Sequence, residues 1–188
     1  EAERLWTERD RSKWLWHLPL AEIPDYAMHG IGKHWRRWLA DHASDHFGFL
    51  ERHSSIEVPA LITTGWYDQQ IGSIKNFTGM RANGATRAAR DGTRLIVGPW
   101  THVSYDWESV VGEMDFGPEA TVDYYDTADA WFGRWLKGET QAEEGPPIRL
   151  FVMGTNSWRS ETEWPPVGTT YEDYFMQADG GLSQQPPG

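Results

Sequence analysis

The stretch LITTGWYDQQIG, residues 61–72, decides the fold. With Val58, Pro59 and Ala60 before it, it makes an apolar run too short for a helix, bounded by Pro and Gly. That is the pattern of a strand buried on both faces of a parallel sheet. The run stops at Trp66 and Tyr67 and presents Asp68 to whatever lies beyond. A second stretch, RLIVGPWTHVS from Arg94, repeats the arrangement: an apolar strand over Arg94–Val97 breaks at Gly98 and Pro99 and hands over Trp100 and His102. Between them, GSIKNFTGMRANG places Ile74, Phe77, Met80 and Arg81 at helical spacing, with Gly84 as a C-terminal stop. Further on, TVDYYDTADAWFGRWLKGE carries an apolar stripe of Val122, Tyr125, Ala128, Trp131, Trp135 and Leu136, closed by Gly138. Strand, helix, strand, helix with short connections predicts an α/β fold with a parallel sheet.

The flanks have a different texture. From Trp6 to Leu39 the chain is rich in Trp, His and Arg, and GKHWRRWLADH sets Trp35, Trp38 and Leu39 on one helical face. Proline and glycine interrupt the rest, so short helices and loops are expected, as in a cap over a sheet. Beyond AEEGPPI, a Gly/Pro linker, the segments IRLFVMG, NSWRSETEWPP and YEDYFMQ read as short strands separated by turns. They look like the opening of an all-β domain, and so few residues cannot close two sheets without packing on the α/β part or finding strands elsewhere. A start at Glu1 rather than Met and a tail of GGLSQQPPG suggest a piece of something longer.

Composition removes several function classes. A chain that is 39% hydrophobic with twelve Trp in 188 residues is globular. Its net charge of -11 argues against a nucleic-acid or anionic-membrane partner. Without cysteine there is no disulfide, thiol nucleophile or thiolate metal site. No apolar run approaches the ~20 residues of a membrane span, and a charged start is unlike a signal peptide. The expectation is a soluble chain, cytoplasmic by default.

In an open parallel sheet, ligands bind beyond the carboxyl ends of the strands. Asp68 and His102 both stand there, on consecutive strands, in the order acid then histidine. Each alone has a plain structural reading, a turn or cap for the Asp and a satisfied surface group for the His. Their joint placement, each behind a Gly and an aromatic, points to acid–base chemistry. A carboxylate that fixes the tautomer of an imidazole lets it take a proton from a hydroxyl nucleophile and return it to a leaving group.

GWYD, VGPWTH and the later IRLFVMG…WRSETEWP resemble the X-Pro dipeptidyl-peptidases and bacterial cocaine esterases, the CocE/NonD acyl esterases. The resemblance runs from about Trp35 to about Phe175. It implies the C-terminal part of an α/β-hydrolase domain with the remnant of a helical cap, followed by the start of an all-β jelly-roll domain. On that basis residues 1–50 are the end of the cap, 51–146 the last part of the hydrolase domain and 147–188 the beginning of the jelly roll. By position Asp68 would be the triad acid and His102 the base, with no metal or organic cofactor.

The family's Ser sits in a G-x-S-x-G elbow, and no such motif occurs in the 188 residues. Ser44, Ser54, Ser55, Ser73, Ser104 and Ser109 lack the flanking glycines. The expectation is therefore a serine hydrolase of acyl esters or amides whose remaining part holds the nucleophile, this chain alone being inactive. A missing half-sheet would leave apolar edges that associate with that N-terminal part or with a second copy. The rival is a non-catalytic binding module on a hydrolase scaffold.

Tyr67, Gln69, Gln70 and Trp100 flank the two positions and are candidate walls of an acyl pocket. The resemblance implies that some relatives that hydrolyse α-amino acid esters carry acids just after the triad Asp. Gln69, Gln70 and Ile71 stand there instead, which favours a neutral acyl substrate. The weaker candidates are His42 and His46 with Asp41 or Asp45 as metal ligands, and Arg87, Arg90 and Arg94 as a basic patch. The first lacks the Glu of H-E-x-x-H, and the second reads as solvated surface. The pair Trp131 and Trp135 reads as helix-to-sheet packing.

Overall fold

The computed structural model describes residues 14, 16–28, 30–41, 52–102, 108–139 and 145–187. The chain forms two compact units, Glu1–Phe49 and Leu50–Gly188.

In the first unit two 3-10 turns, Leu20–Glu22 and Asp25–Met28, precede helix α1, Gly32–Ala40. Trp35, Trp38 and Leu39 are half-buried on one face, as their spacing requires. The Trp35 indole N–H donates to Leu20 O at 2.9 Å, and Arg36 pairs with Asp25. His42, Asp45 and His46 lie outside the described residues, as does Ser44.

The second unit holds the sheet. Strand β1, Leu61–Tyr67, leads through helix α2, Gln70–Asn83, and helix α3, Arg87–Gly92, into strand β2, Arg94–Thr101, which lies parallel beside β1. Two short strands follow, β3 at Val110–Val111 and β4 at Met114–Asp115, then helix α4, Tyr124–Phe132. Strand β5, Ile148–Val152, pairs parallel with β2, and β6, Ser157–Glu161, returns antiparallel to β5. The result is a mixed four-stranded sheet in the order β1-β2-β5-β6. A small hairpin, β7 at Phe175–Met176 and β8 at Leu182–Ser183, stands apart from it. The segment that reads in sequence as the opening of an all-β domain thus contributes its first hairpin to the parallel sheet.

Alternation sorts the side chains between two faces. Ile62, Leu95, Val97, Ile148 and Leu150 point to one side and bury Phe77 of α2, with Ile74, Trp66 and Trp164 around them. The opposite face is less tightly covered. Leu61 and Thr63 share an open cleft of about 300 Å³ with Ala128 and Trp131 of α4. The expectation of strands buried on both faces therefore holds in full for one face only. Farther along that second face, Phe151 joins Phe116, Ala120 and Trp158 in a separate aromatic cluster. The Arg149 guanidinium lies 4.3 Å from the Trp158 ring centre, and its partial burial lowers its pKa while Glu119 opposes the shift.

Several local expectations change. Gly84 ends α2, but with φ -49° rather than in a left-handed turn; a Cβ there would crowd Met80 O and Ala89. Gly138, at φ 72°, does close its helix in the left-handed region. Tyr125 and Leu136, expected to be buried, are 69% and 78% exposed. The last turn, Gly133–Lys137, widens to a π turn, so a 3.6 period no longer predicts which way Leu136 faces. Trp135 covers Gly92, where a Cβ would overlap the indole.

The arginines around α3 do more than face water. Arg81 donates to the carbonyls of Arg90 and Asp91, Arg90 to Gly84 O, and Arg94 to Asp91 O, satisfying carbonyls at helix ends. Arg87 hydrogen-bonds Asp91 and holds that carboxyl below its usual range. At the other end of α3, Thr86 Oγ1 accepts from Ala89 N at 3.0 Å and donates to Glu57 O at 2.6 Å. Thr86→Ala loses both bonds and is expected to lower stability by about 1–2 kcal/mol, read as a fall in the urea midpoint at constant m. An unchanged midpoint would mean that water replaces both at no cost.

Candidate active site

The parallel pairing of β1 and β2 brings their carboxyl ends side by side, with Tyr67 opposite Thr101. Asp68 and His102 follow directly, and His102 Nδ1 lies 2.8 Å from Asp68 Oδ1. A carboxylate oxygen only accepts, so the shared proton sits on Nδ1 and Nε2 is left as the proton acceptor. The same Oδ1 accepts from the main-chain N–H of Gln69 at 2.5 Å, and Asp68 N donates to Gly65 O at 3.0 Å. The carboxylate is thereby fixed by its own loop before the imidazole arrives. Exposure is uneven. The Asp68 side chain is 18% exposed and that of His102 is 76%, so the acid is covered while the base reaches outward. This is the arrangement in which a carboxylate orients an imidazole whose far nitrogen does the chemistry.

The other expected site residues fall in different places. Tyr67 is half-exposed, its ring 6.1 Å from that of Phe116. Gln69 is exposed. Gln70 opens α2 and, with Ile71, Ile74, Trp66 and Trp164, lines an open cavity of about 560 Å³. Trp66 is fixed there by its indole N–H, which donates to Phe151 O at 2.7 Å. Trp100 is packed inside. It is 2% exposed, its indole N–H donates to Ala120 O at 2.9 Å, and its ring packs 5.9 Å from Trp158. An expected pocket wall is thus a core residue, because the strand runs on through Gly98 and Pro99 to Thr101 and turns this side chain inward. Sequence reasoning missed Trp164, since EWPP gives no sign that its indole crosses to α2. It also passed over His53, which is 1% exposed and bonded through Nε2 to Asn76 Oδ1 at 2.9 Å.

Among the described residues no group of three or more His, Asp or Glu is placed to hold a metal, and no helix is long and apolar enough to cross a membrane.

Residues 1–104 match the family model of the X-Pro dipeptidyl-peptidases (S15 family), and residues 140–188 match that of the X-Pro dipeptidyl-peptidase C-terminal non-catalytic domain. The chain is 34% identical over 160 residues to the cocaine esterase of Rhodococcus sp. (strain MB1 Bresler), covering 78% of this chain and 26% of that protein. An α-amino acid ester hydrolase superposes with a TM-score of 0.60 at 25% identity, over 87% of this chain and 29% of its own. An aminopeptidase from a marine sediment archaeon, Thaumarchaeota archaeon, shares the fold, with a TM-score of 0.66 at 22% identity over 93% of this chain and 30% of its own. The chain therefore spans between a quarter and a third of the length of these relatives. With more than half of its residues inside the first family model, the chain belongs to the X-Pro dipeptidyl-peptidase (S15) family.

Proposed function

We propose that this chain supplies the acid and the base of a serine hydrolase that cleaves acyl ester or amide bonds, Asp68 being the acid and His102 the base. The observation that carries the reading is the 2.8 Å contact between His102 Nδ1 and Asp68 Oδ1 at the carboxyl ends of adjacent parallel strands.

In this mechanism a serine hydroxyl gives its proton to His102 Nε2 as its oxygen bonds to the carbonyl carbon, and the carbonyl electron pair moves onto oxygen. Asp68 keeps Nδ1 protonated and stabilises the imidazolium. The tetrahedral intermediate collapses, the bond to the leaving group breaks, and Nε2 returns the proton to the departing alkoxide or amine. Water then repeats the sequence on the acyl-enzyme. A general base by itself contributes about 10²–10⁴-fold; within a triad its removal costs more, because the nucleophile is then not activated either.

The serine and the oxyanion donors come from outside these 188 residues, which hold no G-x-S-x-G. The outer edge of β1 has no partner strand among the described residues, and LITTGWY has no charge or proline to guard it. That edge is where a strand of the serine-bearing portion adds, a second copy of the chain being the other candidate. The full protein is read as an α/β-hydrolase domain with a helical cap and a jelly roll. Residues 1–50 end the cap, 51–146 complete the hydrolase domain and 147–188 begin the jelly roll. The match of residues 140–188 to a C-terminal non-catalytic domain supports the last of these. Strands β5 and β6 then belong to one domain by sequence and to the other's sheet by hydrogen bonding.

A neutral acyl substrate fits best, since Gln69, Gln70 and Ile71 offer no carboxylate to a substrate ammonium. The non-catalytic module has no observation in its favour.

Fluorophosphonate labelling of the native polypeptide tests the proposal. The expected result is a labelled serine outside these 188 residues, with labelling lost in His102→Ala. Absence of any labelled serine, or labelling indifferent to His102, would overturn it.

A further inference from the structure

We infer that a one-residue offset between β1 and β2, locked by Gly65, Gly98 and Trp100, is what sets His102 opposite Asp68, which makes Gly65 a positioning residue for the pair. The inference rests on the reading of Asp68 and His102 as acid and base.

The strands begin in one register and end in another. Leu61 faces Arg94, and the pairing steps evenly to Gly65 opposite Gly98. Tyr67, however, faces Thr101, so two steps along β1 match three along β2. Had the first register continued, Thr101 would stand opposite Asp68, and His102 would fall opposite Gln69 on the alternate face. A one-residue slip turns every later side chain over. The additional residue is therefore a condition for the Nδ1–Oδ1 contact.

Three features hold the offset. Pro99 has no N–H to give to the ladder, so regular pairing fails there. Trp100 is buried and anchored through its indole to Ala120 O at 2.9 Å. Its ring lies over Gly98, where a Cβ would overlap the indole, and its carbonyl presses on Gly65, where a Cβ would overlap the main chain. The two glycines face each other across the strands and open space on both sides of one residue, one for the ring and one for the backbone. The Gly65 contact is the less forgiving. A side-chain tip can turn aside, whereas moving the Trp100 carbonyl moves Thr101 and His102 with it.

The test is the tautomer of His102, read from the ¹⁵N shifts of its ring nitrogens in the 188-residue chain, with far-UV circular dichroism to establish folding. The unaltered chain is expected to hold the Nδ1–H form. Gly65→Ala is expected to shift the ring toward the Nε2–H form that an unconstrained histidine side chain prefers, with the dichroism unchanged. A folded Gly65→Ala chain with the original ¹⁵N shifts overturns the inference. Asp68→Ala separates the two levels. If it also leaves the shifts unaltered, the hydrogen bond and the function built on it fail; if it alters them and Gly65→Ala does not, only the offset fails. Should Gly65→Ala not fold, Trp100→Phe takes its place, since it removes the anchor to Ala120 and keeps a ring. Loss of the Nδ1–H form supports the inference, and its retention in a folded chain overturns it.

Discussion

Replacing His102 by Ala, in the protein that also carries the serine, is expected to lower kcat about 10⁶-fold and leave KM near its original value. The size follows from the role. Without Nε2 nothing takes the serine proton during attack or returns one to the leaving group, and only the oxyanion donors and substrate binding remain. Asp68→Asn is expected to cost less, about 10⁴-fold, because the imidazole survives but is no longer held with its proton on Nδ1. Members of such a unit fail together, so the double variant should be no slower than His102→Ala alone. Steady-state rates on a neutral ester measure all three. If the double variant multiplied the two losses, Asp68 and His102 would be acting separately, and the 2.8 Å contact between them would have no part in catalysis.

Phe151→Ala is expected to destabilise the chain by about 3–5 kcal/mol. Its side chain is fully buried and meets Phe116 and Trp158 edge to face, at centroid distances of 6.2 and 5.3 Å. Such pairs contribute about 0.5–1.5 kcal/mol beyond the area they bury. Neighbours tied to the backbone, such as Trp158 through its indole N–H to Glu119 O, limit collapse into the space left behind. Against a typical total of about 5–15 kcal/mol, that loss removes a large fraction of the stability. Urea unfolding followed by tryptophan fluorescence reads it directly. A loss below about 1 kcal/mol would mean that the second face of the sheet is plastic.

The contact between Asp68 and His102 was legible in the sequence because position alone does much of the work. A residue just past a buried parallel strand arrives at the carboxyl edge whatever its side chain, and GWYD and GPWTH both end that way. The direction of Trp100 was not legible, since an aromatic beside a strand end reads the same whether it lines a pocket or fills a core. Only the offset after Gly98 decides, and its signal, a glycine at matching positions of both strands, has meaning once the register is known. The placement of β5 was hidden for a similar reason. IRLFV suits a sandwich or a parallel sheet equally well, and the choice is made by β2, far away in the chain. For α4, periodicity located the helix but not all of its exposed side: the π turn shifts the phase after Phe132 and so accounts for Leu136, but not for Tyr125, which precedes it.

The order β1-β2-β5-β6 repeats the order of synthesis. Among the described residues no later strand has to be threaded between two earlier ones, so this part of the sheet can grow from a single edge as the polypeptide leaves the ribosome. β2 docks on β1 once α2 and α3 have been made, and β5 finds an edge already formed instead of searching for one. Loop-closure entropy is then met one strand at a time. Helix α2, made between β1 and β2, covers one face of β1 early, which favours productive folding over aggregation during translation.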